Sequence, residues 1–236
     1  RLTAPEVRDI IGLLLFAIRS YRQKQKANVE ISLQKNLLEI KNREVAESIH
    51  CARNIQQALL PAEELIARAF HDSFIYYKPR DIVSGDFYWM NETGDCVYLA
   101  VCDSTGHGVP GAFVRLLNMS FLYEAVTEKN LDDPGVIFDF VRKRLRERLT
   151  GEQSQDGMDG ILIKMDRKNP GRLQYVAANN NPLIIRNGLI LNLPADKMPV
   201  GKSPRETEPF VTHTVNLEKN DLVVLYTDGF ADQFGV

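Results

Sequence analysis

The feature that most constrains the fold of this chain is a stretch, residues 20–60, that contains neither glycine nor proline and is followed by Pro61. Helix-forming Gln, Lys, Glu, Leu, Ala and Arg dominate it, so it predicts one long helix. Apolar side chains recur along it at seven-residue spacing, at Ile31, Leu38, Val45, Ala52 and Leu59. A helix with such a narrow apolar seam is not stable alone in water, so it needs a partner.

Two partners would satisfy that need, and the sequence leaves both open. The first is a second copy of the chain, which would make residues 1–60 a coiled-coil-like stalk for signalling and homodimerisation. The second is the rest of the same chain, on whose surface the helix would lie. The positions four residues after the first four seam residues would share the same helix face, and they are mixed. Ile49 is apolar and continues the seam, whereas Lys35, Asn42 and Gln56 are polar and interrupt it.

The start of the stalk combines an apolar run with a basic cluster. Residues Ile10–Ile18 are uninterrupted apolar positions, about half of the ~18 needed to cross a bilayer. The basic segment Arg19–Lys26 follows, as it does on the cytoplasmic side of a membrane exit. We therefore expect either the end of a membrane span, with attachment through a segment upstream of residue 19, or a packed helix end.

Composition favours a globular protein of a reducing compartment. The hydrophobic fraction of 44% and the charged fraction of 25% are ordinary for globular domains. Lys and Arg number 29 against 31 Asp and Glu, so the net charge of −2 predicts no nucleic-acid partner. The three cysteines form no Cys-x-x-Cys pair, which suits the cytoplasm or the cytoplasmic face of a membrane.

After Pro61 the pattern changes to short apolar runs punctuated by Gly, Asn and Asp, which predict strands. The predicted strands are Phe74–Tyr77, Asp86–Met90, Val97–Cys102, Ile161–Met165, Leu173–Ala178, Leu183–Ile185, Leu189–Leu191 and Leu222–Tyr226. Asn187-Gly188 predicts a hairpin turn, and the 3.6-residue apolar period predicts helices over Pro110–Glu128 and Asp133–Leu149. Runs of strands interrupted by a pair of helices predict an α+β fold for residues 61–236. The expected form is an antiparallel β-sandwich flanked by helices in αββα layers.

Three acidic side chains lie next to glycines at the ends of predicted strands. Asp103 opens the Gly-rich stretch 103–108, Asp86 follows Gly85, and Asp228 precedes Gly229. Carboxylates beside exposed backbone carbonyls favour hard divalent cations, which also relieve the repulsion within an acidic cluster. Each acid also has an ordinary explanation as a turn or cap residue, so only the combination is informative.

Five motifs follow one another along the chain: Gly85-Asp86, Asp103-Ser-Thr-Gly-His-Gly108, Asn179-Asn-Asn-Pro182, Lys197-Met-Pro-Val-Gly201 and Thr227-Asp-Gly229. Their order resembles that of the metal-dependent protein phosphatase superfamily (protein phosphatase 2C-like). The similar branch is the bacterial one of the sporulation stage II E phosphatase and sigma-factor regulators. The resemblance covers about residues 50–236, and Ala52–Pro61 looks like the helix that leads into the domain in that branch.

The resemblance implies a site with two divalent cations, Mn²⁺ or Mg²⁺. Asp86 and Asp103 would be ligands together with the backbone carbonyl of Ser104, and Asp228 would hold the second ion. In this family the ions activate a water that attacks phosphorus in line, so no protein nucleophile is needed. The implied activity is removal of phosphate from serine or threonine of a small regulatory protein, an anti-sigma-factor antagonist, under control of the N-terminal helix.

Three further residues are weaker candidates with ordinary alternatives. His107 would assist the leaving alkoxide as a catalytic residue, or serve only as a hydrogen-bonding loop histidine. Arg80 would meet a phosphate, or be a solvated arginine at a strand edge. Asp159, in the stretch 156–160, would be an auxiliary metal or substrate residue, or part of a turn.

The resemblance also shows one departure from the family pattern. Members normally continue past the Thr-Asp-Gly strand into a helix and a last strand with a final metal-binding Asp, whereas this chain ends at Val236. Since the first residue is Arg1 rather than Met, we expect a fragment whose phosphatase domain is truncated at its C-terminus. The alternative function is a catalytically inactive module that binds partners and dimerises, with the acids acting only as turn formers.

Overall fold

The computed structural model describes residues 3–70, 72–149 and 157–230. The chain forms two compact units, residues 1–50 and 51–236. Helix α1 (Ala4–Ala58) makes up the described part of the first unit and includes the first residues of the second. None of the described helices has an apolar stretch long enough to cross a bilayer.

Helix α1 confirms the predicted long helix and starts well before residue 20. The seam positions Ile31, Leu38 and Val45 are all exposed along it. Other apolar side chains, such as Leu33 and Leu37, are equally exposed. The apolar residues of the helix are therefore spread around it rather than confined to one seam.

The second unit is built on two antiparallel sheets. Their strands are β1 (Phe87–Thr93), β2 (Cys96–Ser104), β3 (Gly157–Asp166), β4 (Arg172–Ala178), β5 (Leu183–Arg186), β6 (Leu189–Asn192), β7 (Val200–Gly201), β8 (His213–Asn216) and β9 (Leu222–Val224). The larger sheet has the order β1-β2-β3-β4-β8, with β7 paired to β3, and the smaller sheet has the order β6-β5-β9. All the strand pairs are antiparallel.

In the described part of this unit, the helices beside the sheets are α2 (Glu63–Ala69), α3 (Gly108–Tyr123), which continues as a π-helical turn over Glu124–Glu128, and α4 (Pro134–Arg148). Along β3, Leu162 is buried with residues of α3 and α4, whereas Ile161 and Ile163 pack on the opposite face with residues such as Val223 of β9. This alternation follows from the two-residue period of a strand. The larger sheet is therefore buried on both faces.

This arrangement confirms the predicted α+β class of antiparallel sheets and helices. The hairpin between β5 and β6 is also confirmed. Asn187 and Gly188 have positive φ angles of 51° and 78°, as a two-residue type I′ turn requires.

Some sequence predictions for this unit are wrong. Phe74–Tyr77 is not a strand; Phe74 and Tyr76 are 83% and 72% exposed, because their aromatic β-propensity has no strand to pair with. Strands β7 and β8 were not predicted, since they are short and β8 alternates between exposed and half-buried residues. In α3, Phe113 is exposed although it fits the apolar period.

We predict that Asp133 stabilises the domain as the N-cap of α4. Its Oδ1 accepts a hydrogen bond from the Val136 N–H at 3.1 Å and another from the Thr212 hydroxyl. Asp133→Ala should lower the free energy of unfolding by about 1–2 kcal/mol, whereas Asp133→Asn, which keeps a cap acceptor, should cost clearly less. Chemical denaturation of both variants measures this, and equal losses would contradict a capping role.

Candidate active site

Three acidic residues stand in a row at one end of the larger sheet, because the strands that carry them are neighbours. Phe87 of β1 pairs with Cys102 of β2 in antiparallel orientation. Asp86 and Asp103 are therefore the next residues beyond this pair, at the same end of the sheet. Asp103 in turn pairs directly with Asp159 of β3. Directly paired residues have Cβ atoms about 5 Å apart, so the register of the sheet brings these carboxylates together.

The fourth acid is delivered by the smaller sheet. Strand β9 ends at Val224, and Asp228 begins the short 3₁₀ turn Asp228–Phe230. The charge of Asp228 acts on Asp103, Asp86 and Asp159. Gly229, the next residue, lies beside Asp86, because a Cβ atom there would be 3.8 Å from Asp86 Oδ2. The structure thus brings together Asp86, Asp103 and Asp228, and Asp159 joins them.

Burial and nearby negative charge raise the pKa values of Asp86, Asp103 and Asp159. Burial is the largest cause for Asp103, and the charges of the other three acids add to it, raising the pKa of Asp103 to about 7. Burial also raises the pKa of Asp86, although a hydrogen bond from Thr227 and the charge of Arg115 oppose this shift. The pKa of Asp159 is raised by burial and by the charge of Asp228.

The chemistry of this cluster suits divalent cations. The carboxylates of Asp86, Asp103 and Asp159 are brought together by the sheet register, so they repel one another. Oδ1 of Asp86 is buried without a hydrogen-bond partner, which costs free energy unless a ligand satisfies it. A cation would neutralise the repulsion and coordinate this free oxygen.

The acids do not form a finished metal cage by themselves. Within residues 3–70, 72–149 and 157–230, no group of three His, Cys, Asp or Glu side chains is arranged to hold a metal ion. Backbone carbonyl and water oxygens, which are common ligands of hard cations, would therefore have to complete the ligand set.

The Gly-rich turn between β2 and α3 packs closely against the residue that precedes Asp86. A Cβ atom at Gly85 would lie 2.7 Å from the carbonyl oxygen of Ser104, so only glycine fits. The Ser104 N–H donates to the Gly85 carbonyl at 3.3 Å, and the buried Ser104 hydroxyl accepts a hydrogen bond from Asn118 at 2.9 Å. These contacts place the Ser104 carbonyl beside the chain that leads into Asp86.

His107 and Arg80 are not drawn into the acidic cluster. His107 is exposed and directly precedes α3, without a capping bond from its side chain. Arg80 is exposed as well. In the part of the chain that the structure describes, neither side chain hydrogen-bonds an acid of the cluster. Asp156, which accompanies Asp159 in its motif, lies outside the described residues.

Two of the motifs noted in the sequence meet beside Asp159. Asn179, which has a positive φ of 61°, donates from Nδ2 to Oδ1 of Asp159 at 2.8 Å. Lys197 Nζ donates to the carbonyl of Asn179 and to Oδ1 of Asn181, both at 2.9 Å. The Asn-rich turn therefore orients the carboxylate of Asp159 and is itself held by Lys197.

Several buried polar residues behind the cluster were not selected from the sequence. Gln56 is only 4% exposed. Its Oε1 accepts from the Ser84 N–H at 3.1 Å and its Nε2 donates to the Ser84 carbonyl at 3.0 Å. Arg115 and Asn118 are buried on one face of α3. Their three-residue spacing within an apolar helical segment was the available signal, because it places two polar side chains on one face.

Comparisons with a family model, a curated protein and solved structures agree with one another. The family model described as stage II sporulation protein E (SpoIIE) matches residues 93–235. The phosphoserine phosphatase RsbU of Bacillus subtilis (strain 168) is 27% identical over 198 residues, which cover 80% of this chain and 55% of that protein. The chain therefore spans about half the length of this curated relative.

Among solved structures, the SiaA-PP2C domain of Pseudomonas aeruginosa is similar with a TM-score of 0.73 and 28% identity, covering 83% of this chain and 76% of that one. The PP2C phosphatase domain of SpoIIE from Bacillus subtilis, solved with a fragment of its regulatory domain, has a TM-score of 0.51 and 23% identity. That match covers 62% of this chain and 41% of the SpoIIE chain. The second likeness concerns the fold alone.

We predict that the metal-free protein loses stability as the pH rises from about 4 to about 7. Over this range the folded protein keeps the proton of Asp103, whose pKa is about 7, while the unfolded chain, with a pKa of about 3.9, has released it. The unfolded state then binds fewer protons, so the free energy of unfolding falls with pH. Asp103→Asn should flatten this dependence and raise the Tm at pH 7.5.

The measurement is thermal unfolding in EDTA between pH 5 and pH 8. Asp166→Asn is the matched control, because Asp166 ends β3 at the opposite end from Asp159. A wild-type Tm that does not fall with pH, or an Asp103→Asn profile as steep as that of the wild type, would contradict this prediction.

Proposed function

This chain belongs to the stage II sporulation protein E family, and on that premise we propose that it is a divalent-metal-dependent serine/threonine protein phosphatase. The observation that carries the proposal is the cluster of Asp86, Asp103, Asp159 and Asp228, which strand register and the turn after β9 bring together, with Oδ1 of Asp86 buried and unpartnered. The name of the relative, a phosphoserine phosphatase, supports the reaction class.

In this proposal, Asp86 and Asp103 hold two Mn²⁺ or Mg²⁺ ions with help from the Ser104 carbonyl, and Asp228 holds the second ion. When bound, such ions lower the pKa of a coordinated water and neutralise charge on a phosphoryl group. The tight contact of Gly85 with Ser104 keeps the carbonyl and the carboxylates in fixed relation, so little reorganisation is needed on binding.

The proposal gives supporting roles to three other candidate residues. His107 is exposed, which leaves its imidazole free to give a proton to a departing serine or threonine oxygen. Arg80 is exposed, and its guanidinium is suited to binding a phosphate. Asp159, oriented by Asn179, is an auxiliary ligand for a metal or for the substrate.

We propose that the substrate is a phosphorylated small regulatory protein, of the anti-sigma-factor antagonist type, in the cytoplasm. The resemblance of the motifs to those of sigma-factor regulators supports this substrate. The absence of Cys-x-x-Cys pairs in the sequence supports a reducing compartment. An inactive partner-binding module is the second candidate, since strand pairing and the turn after β9 hold the acids close without a cation.

We further propose that residues 1–60 pair two copies of the chain and control the phosphatase. The exposed apolar side chains of α1 support pairing, because pairing would remove them from water. The last turns of the same helix contain Gln56, whose hydrogen bonds hold Ser84 close to Asp86. The exposed apolar residues among 11–18 support attachment of the upstream end to a membrane.

We predict that purified full-length protein releases phosphate from 4-nitrophenyl phosphate or from a phosphoserine protein only when Mn²⁺ or Mg²⁺ is present. Asp103→Asn should reduce the rate by about 100-fold or more, because it removes a central ligand. Asp166→Asn, on the far end of β3, should retain the wild-type rate. A wild-type protein with no metal-dependent phosphate release would instead favour the inactive module.

We also predict that the dimer depends on the heptad positions of α1. Leu38→Glu should shift the protein to a monomer in sedimentation equilibrium, because it puts a charge into the apolar seam. Leu33→Glu makes the same chemical change at an equally exposed residue off the seam and should leave the dimer intact. A monomeric wild type, or equal effects of both variants, would argue against pairing through this seam.

A further inference from the structure

Arg115 of α3 is the largest fully buried side chain in the described part of the protein and is only 1% exposed. Burying a guanidinium is costly unless it is paired and hydrogen-bonded. The hydrogen-bond partners of the guanidinium therefore indicate the role of this residue, and the main contacts involve the backbone of Asp86.

The guanidinium takes part in a closed triangle of hydrogen bonds around one main-chain oxygen. Nη1 of Arg115 donates to the carbonyl oxygen of Asp86 at 3.1 Å and to the hydroxyl of Tyr77 at 2.8 Å. The Tyr77 hydroxyl in turn donates to the same Asp86 oxygen at 3.1 Å. Two donors that are themselves connected thus hold the backbone of Asp86.

Other segments contact the rest of the guanidinium, although its Nε is buried without a hydrogen-bond partner. Nη2 donates to the carbonyl of Gln56 at 3.2 Å. The guanidinium carbon lies 5.9 Å from the ring centroids of both Tyr77 and Phe87, within the range of cation–π attraction. A planar fork can meet these separate acceptors at once, whereas the single ammonium of a lysine cannot.

We propose that Arg115 is a positioning residue for divalent-cation binding, acting through the backbone of Asp86. With its carbonyl held by two donors, Asp86 presents its carboxylate, including the unpartnered Oδ1, in one direction toward the acidic cluster. This inference rests on the proposed function, because it assumes that Asp86 is a metal ligand. Arg115 itself is not a catalytic residue, since it is buried behind the cluster.

A second buried arginine provides an internal contrast. Arg142 of α4 is 6% exposed and bonds the carboxylate of Asp139, the carbonyl of Glu208 and the sulfur of Met198. None of these partners belongs to the acidic cluster. Substitution of Arg142 therefore removes a similarly buried and bonded guanidinium without touching Asp86.

The test is a titration of full-length protein with Mn²⁺ alone, followed by the fluorescence of Trp89. This residue is the single tryptophan of the chain and lies in β1, near Asp86. Arg115→Lys and Arg115→Met should weaken Mn²⁺ binding by about 10–100-fold, as loss of outer-shell partners of metal ligands does. Tyr77→Phe, which removes one oxygen from the triangle, should weaken it by a smaller factor, and Arg142→Lys should leave it unchanged.

Thermal unfolding of each variant separates loss of positioning from loss of fold. Arg115→Lys with wild-type affinity would overturn the inference, because charge without the fork would then suffice. Equal weakening in Arg142→Lys would also overturn it, since any buried arginine would then have the same effect. If the Arg115 variants do not fold, Tyr77→Phe decides, and unchanged Mn²⁺ affinity in that variant overturns the proposal.

Phosphate release, measured on the same samples, distinguishes this inference from the proposed function. A wild type that binds Mn²⁺ and releases phosphate, with Arg115→Lys equal to it in both, overturns only the role of Arg115. A wild type that binds Mn²⁺ but releases no phosphate, with binding weakened selectively in Arg115→Lys, supports that role and overturns the phosphatase.

Discussion

The repulsion among four neighbouring carboxylates is the constraint on which the arrangement of the second unit depends. Burial and mutual charge raise the pKa of Asp103 to about 7, so the cluster is held together against its own electrostatics. The register of β1, β2 and β3 fixes three of the acids, and the smaller sheet supplies Asp228. Cooperative sheet pairing, rather than attraction between the acids, keeps them close.

The apolar core provides the free energy that makes this possible. The larger sheet is packed on one face by α3 and α4 and on the other by residues such as Val223, so its strands cannot shift register without exposing apolar side chains. A site in which carboxylates repel one another is stable only when the surrounding structure holds them in place. Gly85 contributes by letting the chain before Asp86 touch the Ser104 carbonyl.

Polar residues beneath the acids connect them to more distant parts of the chain. Arg115 joins the backbone of Asp86 to Tyr77 and to the carbonyl of Gln56, and the side chain of Gln56 holds Ser84. The end of α1 and the acidic cluster are therefore parts of one hydrogen-bonded network within the second unit. Such a network is rigid when its members are satisfied, because each bond fixes the geometry of the next.

Local pattern alone determined the long helix, the helices α3 and α4, most of the strands, the Asn187-Gly188 turn and three of the clustered acids, because periodicity and turn chemistry act over a few residues. The sequence pattern wrongly predicted a strand at Phe74–Tyr77, because a strand needs a partner strand. It also wrongly predicted that Phe113 is buried, because the neighbouring elements determine which face of α3 is covered. Only the tertiary structure decided that Arg115 is buried against Asp86, Tyr77 and Gln56. These partners lie 29 to 59 positions away in sequence, and no local pattern encodes which distant backbone carbonyl will face a side chain once the sheets have paired.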